Sequence, residues 1–397
     1  MCNFYQTAQA DDMKRGIICA VAALSFASAM AAGTVSAVSA DENELSPACK
    51  AAYLMDEASG MQLYAKNETE RLPIASMCKI MTLLLAFEAE ECGELSFDEE
   101  ITVSERAAGM GGSQVFLGAG LTYQADALLK SIAVCSANDS CVAIAERVCG
   151  SEGAFCERMN KRAKELGAEN TLFANCTGLP KEPQYSCAKD VAIMLRALIG
   201  HEKYHEYSRI WLEDFAHPDG RTTQMTNTNK LIRSYDGCDG GKTGFTNEAG
   251  FCLAATAVKG DMRVISVAIG ASDSKARFAA VSSLFDYAFD HFESNVLLRA
   301  DEALEDAVCV RGSSTKEVRV APERTLAVVR RRGAEENYTV EYEWRDALAP
   351  IAAGETLGEA VLYRDGVEVD RTALLAVECA ERYSWWEAYR EGARNWN

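Results

Sequence analysis

Ser76-Met77-Cys78-Lys79 opens the stretch Ile80-Met81-Thr82-Leu83-Leu84-Leu85-Ala86-Phe87-Glu88. Ile80, Met81, Leu83, Leu84 and Phe87 recur at helical spacing, which predicts a helix over 76–88. On that helix the i, i+3 spacing puts Lys79 over the same face as Ser76. A serine hydroxyl is a weak nucleophile and needs a base. The helix N-terminus favours negative charge developing near Ser76. Taken alone, Ser-x-x-Lys fits a helix cap and a surface lysine equally well.

Two other short motifs lie downstream. Ser136-Ala137-Asn138 is a polar break between apolar helices predicted over 125–134 and 139–148. A hydroxyl and an amide on such a loop can relay a proton and hold a substrate amide. The plain alternative is a capping turn before Asp139. Lys242-Thr243-Gly244 follows Asp239-Gly240-Gly241 and leads into a strand predicted over 250–258. A lysine and a threonine there can bind a carboxylate, and Gly244 lets a substrate approach the backbone. The turn Lys259-Gly260-Asp261 joins 250–258 to a second strand, 262–269, as a hairpin. A hairpin over 51–64 and helices over 188–199 and 277–292 complete an antiparallel sheet with helices packed on it.

Ser-x-x-Lys on a helix, Ser-x-Asn between helices and Lys-Thr-Gly on a strand, in that order, form the motif set of penicillin-binding proteins and serine β-lactamases. The chain resembles the serine D-alanyl-D-alanine carboxypeptidases, low-molecular-mass penicillin-binding proteins of the peptidase S11 family. Gly111-Gly112-Ser113-Gln114, Phe173-Ala174-Asn175, Thr177-Gly178-Leu179 and Asn227-Thr228-Asn229-Lys230-Leu231 resemble family segments too. The resemblance covers roughly residues 45–293. It implies an α+β fold, a penicillin-binding/serine β-lactamase-like catalytic domain with an antiparallel sheet and helices, followed by a small all-β sandwich.

The resemblance also implies roles. Ser76 would be acylated by the penultimate D-alanine carbonyl, with Lys79 as base, although the proton acceptor in this superfamily is disputed. Ser136 would relay a proton to the leaving amine, and Asn138 would position the substrate. The N–H groups of Ser76 and Phe245 would form the oxyanion hole. Lys242, Thr243 and Gly244 would face the terminal carboxylate, with Arg277 as a carboxylate-binding arginine. No cofactor or metal is implied. The implied partners are peptidoglycan pentapeptide stems as substrate and β-lactams as inhibitors. Two departures stand out. Cys78 occupies a position usually held by a small residue such as threonine, and Phe245 stands where some members carry histidine.

Two alternatives keep the same fold. A class A β-lactamase needs a glutamate to activate water, and the expected region reads Glu169-Asn170-Thr171-Leu172-Phe173. The extra β domain also counts against it. A non-catalytic cell-wall scaffold is disfavoured by three intact motifs. His201-Glu202-Lys203-Tyr204-His205 matches the H-E-x-x-H zinc pattern. Gly200 ends the preceding helix, however, so the motif straddles a boundary, and no third ligand is evident.

The ends of the chain indicate location. Met13-Lys14-Arg15, an apolar run over 17–32 and Val38-Ser39-Ala40 read as a signal peptide, residues 1–40, with Met13 a candidate start. The catalytic domain is then 41–293. Short alternating stretches over 294–380 predict the small β domain, including 317–320, 326–329, 339–343, 357–363 and 374–377. The tail 381–397 carries Trp385, Trp386, Tyr389 and Trp396, mostly near one helical face. Spacing alone leaves open a membrane-interface helix or one docked on its own domain. The family layout favours anchoring on the outer face of the cytoplasmic membrane, for an exported enzyme on the cell-wall side.

Composition fits this picture. Hydrophobic residues make up 48% and charged residues 25% of the 397, which excludes a disordered chain. The net charge of −19 disfavours nucleic-acid binding. Of fifteen cysteines, Cys2 and Cys19 lie in the signal segment. The remainder read mainly as small buried thiols, with room for one or two disulfides.

Overall fold

The computed structural model describes Leu45, residues 47–300 and residues 302–394; the expected signal segment 1–40 lies outside the described residues. Five antiparallel strands form the central sheet: β1 (Ala51–Asp56), β2 (Gln62–Lys66), β3 (Cys238–Thr246), β4 (Gly250–Lys259) and β5 (Met262–Ala271). Their order across the sheet is β2-β1-β5-β4-β3, so the strand with Lys242-Thr243-Gly244 is an edge.

Both faces of this sheet are covered. Ala51, Tyr53 and Met55 of β1 join one apolar cluster, while Ala52 and Leu54 join another. Period-two alternation of side chains sends successive residues into opposite layers. Every residue of β1 is therefore buried, and the strand reads as a continuous apolar run from Ala51 to Met55.

One layer is built from α1 (Lys79–Glu91), α2 (Ala125–Cys135), α3 (Asn138–Cys149) and α4 (Ala188–Leu198). Leu83, Leu84, Leu85 and Phe87 of α1 are all buried, each burial stabilising by about 1.5–3 kcal/mol. α1 is apolar nearly all round because α2, α3 and α4 wrap it. The opposite layer is α5 (Ser274–His291), which packs Ala280, Val281, Leu284, Phe285 and Ala288 on the sheet. It starts earlier than the predicted 277 because Asp273 caps it, accepting from the Ala276 N–H at 2.8 Å. Arg277 thus lies in its first turn, buried, not on the surface.

Beyond α5 the chain is β-structured. Strands 292–298 and 326–331 pair antiparallel. A five-stranded sheet runs in the order 307–309, 317–322, 367–376, 356–364, 338–344. Leu326 and Val328 share a core with Val318, Val320, Leu357, Leu362 and Leu374. The last of these strands starts at Val367, well before the predicted 374. Asp365 (φ 50°) and Gly366 (φ 78°) make a two-residue hairpin turn, and the charged residues that follow hide the strand from an apolar pattern.

The motif helix begins differently from the expectation. Residues Ala75–Cys78 form a 3-10 turn, and the α-helix proper starts at Lys79. Ala75 has φ 48°, so the chain enters the turn sharply. Gly178 packs its backbone against this entry. A Cβ there would lie 2.0 Å from the Ala75 carbonyl oxygen, and its φ is +81°. Gly178→Ala is expected to destabilise the protein by more than about 2 kcal/mol in urea unfolding. Unchanged stability would contradict this packing.

Candidate active site

Lys79 and Ser76 face each other inside the 3-10-to-α junction. The Lys79 ammonium donates to Ser76 Oγ at 3.0 Å and to the Thr177 carbonyl, and Lys79 is 0% exposed. The segment 175–177 receives three side chains from this junction. Cys78 Sγ donates to the Asn175 carbonyl at 3.2 Å and Thr82 Oγ1 to the Cys176 carbonyl at 2.7 Å, beside the Lys79 contact. Asn175 Oδ1 folds the segment by accepting from the N–H groups of Thr177 (3.1 Å) and Gly178 (2.7 Å). Cys78 is thus a packed donor, and burial raises its thiol pKa well above the ordinary value.

Ser136 caps α2 in the left-handed region at φ 66°, a strained conformation for a non-glycine residue. Its Oγ is buried without a hydrogen-bond partner, as is Asn138 Oδ1. Buried polar atoms are normally paired, so an orphaned hydroxyl and an orphaned carbonyl two residues apart fit a ligand that supplies the missing partners. The other half of the Asn138 amide is committed: Nδ2 donates to the Gly111 carbonyl at 2.7 Å.

On the opposite wall, Gly244 brings β3 against the nucleophile. A Cβ on Gly244 would stand 2.6 Å from the Ile74 carbonyl oxygen and 3.3 Å from the Ser76 nitrogen. Only glycine lets the strand edge approach this closely. Thr243 Oγ1 donates to Thr228 Oγ1 at 2.8 Å, and the Thr228 N–H donates to the Val134 carbonyl at 3.2 Å, tying β3 to the end of α2. Lys242 is 1% exposed and donates to the Thr243 carbonyl at 3.2 Å. Burial, and secondarily the positive charge of Lys79, push its pKa down to about 7.

Arg277 lies behind β3. It donates from Nη1 to the carbonyls of Gly244 (3.2 Å) and Cys252 (3.4 Å), and its Nε has no partner. Phe245 is 51% exposed, with its ring tilted against Phe251 at 4.4 Å between centroids. β3 thus approaches Ser76 through Gly244 and is tied, through Thr228, to Val134 at the end of α2, two residues before Ser136.

The H-E-x-x-H pattern does not converge. His201 precedes the helix Glu202–Ser208 and contacts Glu91 at 2.7 Å, whereas His205 faces Asp239 at 3.4 Å. Among the described residues no group of three potential ligands could hold a metal. Glu169 is exposed, next to Asn170 whose N–H binds Asp190. The thirteen described cysteines are all free thiols.

Sequence reasoning overlooked Asp139, which it read only as part of a capping turn. Its buried carboxylate accepts from the N–H groups of Val115 (3.2 Å) and Leu117 (3.0 Å), fixing the loop that holds Asn138. The only available signal was a charge at the start of an otherwise apolar helix. Thr177 acts through its backbone, which no side-chain pattern reveals.

Residues 36–273 match the D-alanyl-D-alanine carboxypeptidase family, peptidase S11, and residues 292–382 match the C-terminal domain of penicillin-binding protein 5. The chain belongs to the S11 family of D-alanyl-D-alanine carboxypeptidases. It is 39% identical to D-alanyl-D-alanine carboxypeptidase DacF of Bacillus subtilis, over 85% of this chain and 87% of that protein. Identity to DacC of Escherichia coli is 32%, over 84% of each. Penicillin-binding protein 5 from Haemophilus influenzae superposes with a TM-score of 0.67 at 28% identity, covering 85% of this chain and 98% of that one.

Asp139→Ala strips the acceptor from the buried amides of Val115, Leu117 and Ser140 and is expected to cost about 1–3 kcal/mol in urea unfolding and to raise KM. An unchanged unfolding midpoint and KM would contradict its role in holding the loop.

Proposed function

We propose that this S11 peptidase removes the terminal D-alanine from peptidoglycan pentapeptide stems through an acyl-enzyme on Ser76. The observation that carries the reading is the buried Lys79 ammonium 3.0 Å from Ser76 Oγ. In the reaction Lys79, in its neutral form, takes the Ser76 proton as Oγ bonds to the penultimate D-alanine carbonyl carbon. The N–H groups of Ser76 and Phe245 face the oxyanion. Collapse breaks the peptide bond, and Ser136 passes a proton to the departing D-alanine amine. Water then cleaves the ester. Asn138 Oδ1, free of protein partners, accepts a backbone N–H of the stem. Lys242 and Thr243 receive the terminal carboxylate, with the Arg277 charge behind the strand. A β-lactam presents its carboxylate and amide to the same groups and acylates Ser76.

The enzyme works outside the cytoplasm, where peptidoglycan lies, after cleavage of residues 1–40. The terminal helix Trp385–Arg394 supports membrane association: Trp385, Trp386 and Tyr389 are 72%, 60% and 63% exposed. No described helix is long and apolar enough to cross a membrane. A β-lactamase reading lacks its glutamate, since Glu169 is exposed.

Fluorescent penicillin is expected to label the purified protein, but not Ser76→Ala, and EDTA is expected to leave labelling unchanged. Labelling of Ser76→Ala, or its loss in EDTA, would refute the serine mechanism. Lys242 sets the pH dependence of substrate capture. Burial, and secondarily the positive charge of Lys79, push its pKa down to about 7, so its charge is present below that value and lost as pH rises through it. KM for D-alanine release is therefore expected to rise above about pH 7, as the terminal carboxylate loses its ammonium partner. A KM independent of pH from 5 to 10 would contradict it.

A further inference from the structure

Phe116 is a bulky residue at φ 64°, a conformation aromatic side chains rarely adopt. It is also 55% exposed, so burial does not offset the strain. Its loop is held from several directions. Asp139 accepts the Val115 and Leu117 N–H groups on either side of it. The Gly118 N–H donates to Tyr123 Oη at 3.1 Å, and Tyr123 Oη lies 3.0 Å from His217 Nδ1. His217 Nε2 is 2.9 Å from Thr223 Oγ1, which donates to the Val115 carbonyl at 3.0 Å. One proton arrangement satisfies every bond: Tyr123 donates to a bare Nδ1, and Nε2–H donates to Thr223. The same loop binds Asn138 through the Gly111 carbonyl at 2.7 Å and the Ser113 carbonyl, which accepts the Asn138 N–H, also at 2.7 Å.

A conformation that is costly in itself and fixed by so many bonds indicates a use for the exposed ring. Under the carboxypeptidase reading, on which this inference rests, the stem's carboxylate lies at Lys242 and Thr243. Its backbone passes between Asn138 and β3. Two residues of strand, from Thr243 to Phe245, span roughly 7 Å. That is about the distance from the terminal carboxylate back towards the residue preceding D-Ala-D-Ala. The loop holding Phe116 meets that path at Asn138, through the Gly111 and Ser113 carbonyls.

We infer that Phe116 is a specificity residue of this site, packing on the methylene chain of the residue that precedes D-Ala-D-Ala, as lysine or diaminopimelate would present. On this inference the exposed ring borders the cleft beside Asn138, and a long aliphatic side chain covers it. A glycine at that substrate position leaves it uncovered.

The test compares kcat/KM for Nα,Nε-diacetyl-lysyl-D-Ala-D-Ala and N-acetyl-glycyl-D-Ala-D-Ala in the parent, Phe116→Gly and Phe116→Leu. The parent is expected to favour the lysyl peptide by roughly tenfold or more. Phe116→Gly should bring the ratio near one through the lysyl peptide alone, with Tm unchanged or raised because glycine accepts the positive φ. Phe116→Leu should keep part of the preference. A ratio unmoved by Phe116→Gly, or an equal loss on both peptides, would overturn the inference while leaving the carboxypeptidase reading intact. A parent that cleaves neither peptide would overturn that reading, and this inference with it.

Discussion

Everything at the centre of this protein depends on holding one ammonium group out of water against one hydroxyl. Lys79 is fully buried, and its Nζ is shared between Ser76 Oγ and the Thr177 carbonyl. A buried lysine without partners would be costly. Here the carbonyl satisfies one proton and directs another at the nucleophile. The segment 175–178 is therefore as much part of the site as the helix: its carbonyls take Cys78, Lys79 and Thr82, and its glycine fits under the Ala75 turn.

The second constraint is close approach of backbones. Gly178 lies beneath the entry to the 3-10 turn and Gly244 lies alongside it, so the Ser76 amide is pressed between two glycine-bearing segments from distant parts of the chain. The sheet makes this reproducible. β3 is an edge strand paired to β4 from Cys238 to Thr246, and its position is set by a sheet buried on both faces. The loop on the other wall is set by Asp139, His217 and Asn138, so both sides of the cleft are held by bonds within the protein itself.

Much of this was legible in the sequence, for definable reasons. Ser76 with Lys79, and Ser136 with Asn138, are neighbours in the chain, so their juxtaposition needs only local helix geometry. Lys242-Thr243-Gly244 was readable as a strand opening a hairpin, and the helices at 125–135, 138–149 and 188–198 fell within a residue of expectation. What escaped were interactions made by backbone groups or across long separations. The Thr177 carbonyl, the amides bound by Asp139 and the Tyr123–His217–Thr223 chain leave no periodic trace. The hairpin of Leu212–Ala216 with Thr222–Thr226 was missed because its residues are mostly polar and exposed. The helix Glu152–Glu165 was missed for its polarity, being buried at only a few positions.

The most direct test of the Ser76–Lys79 account is peptide mapping by mass spectrometry after brief exposure to benzylpenicillin, in the parent and in Lys79→Gln. A single penicilloyl ester on Ser76 is expected in the parent, with acylation slowed by roughly a hundredfold or more in Lys79→Gln. An adduct on Ser136 or a cysteine, or equal acylation rates in the two proteins, would contradict it.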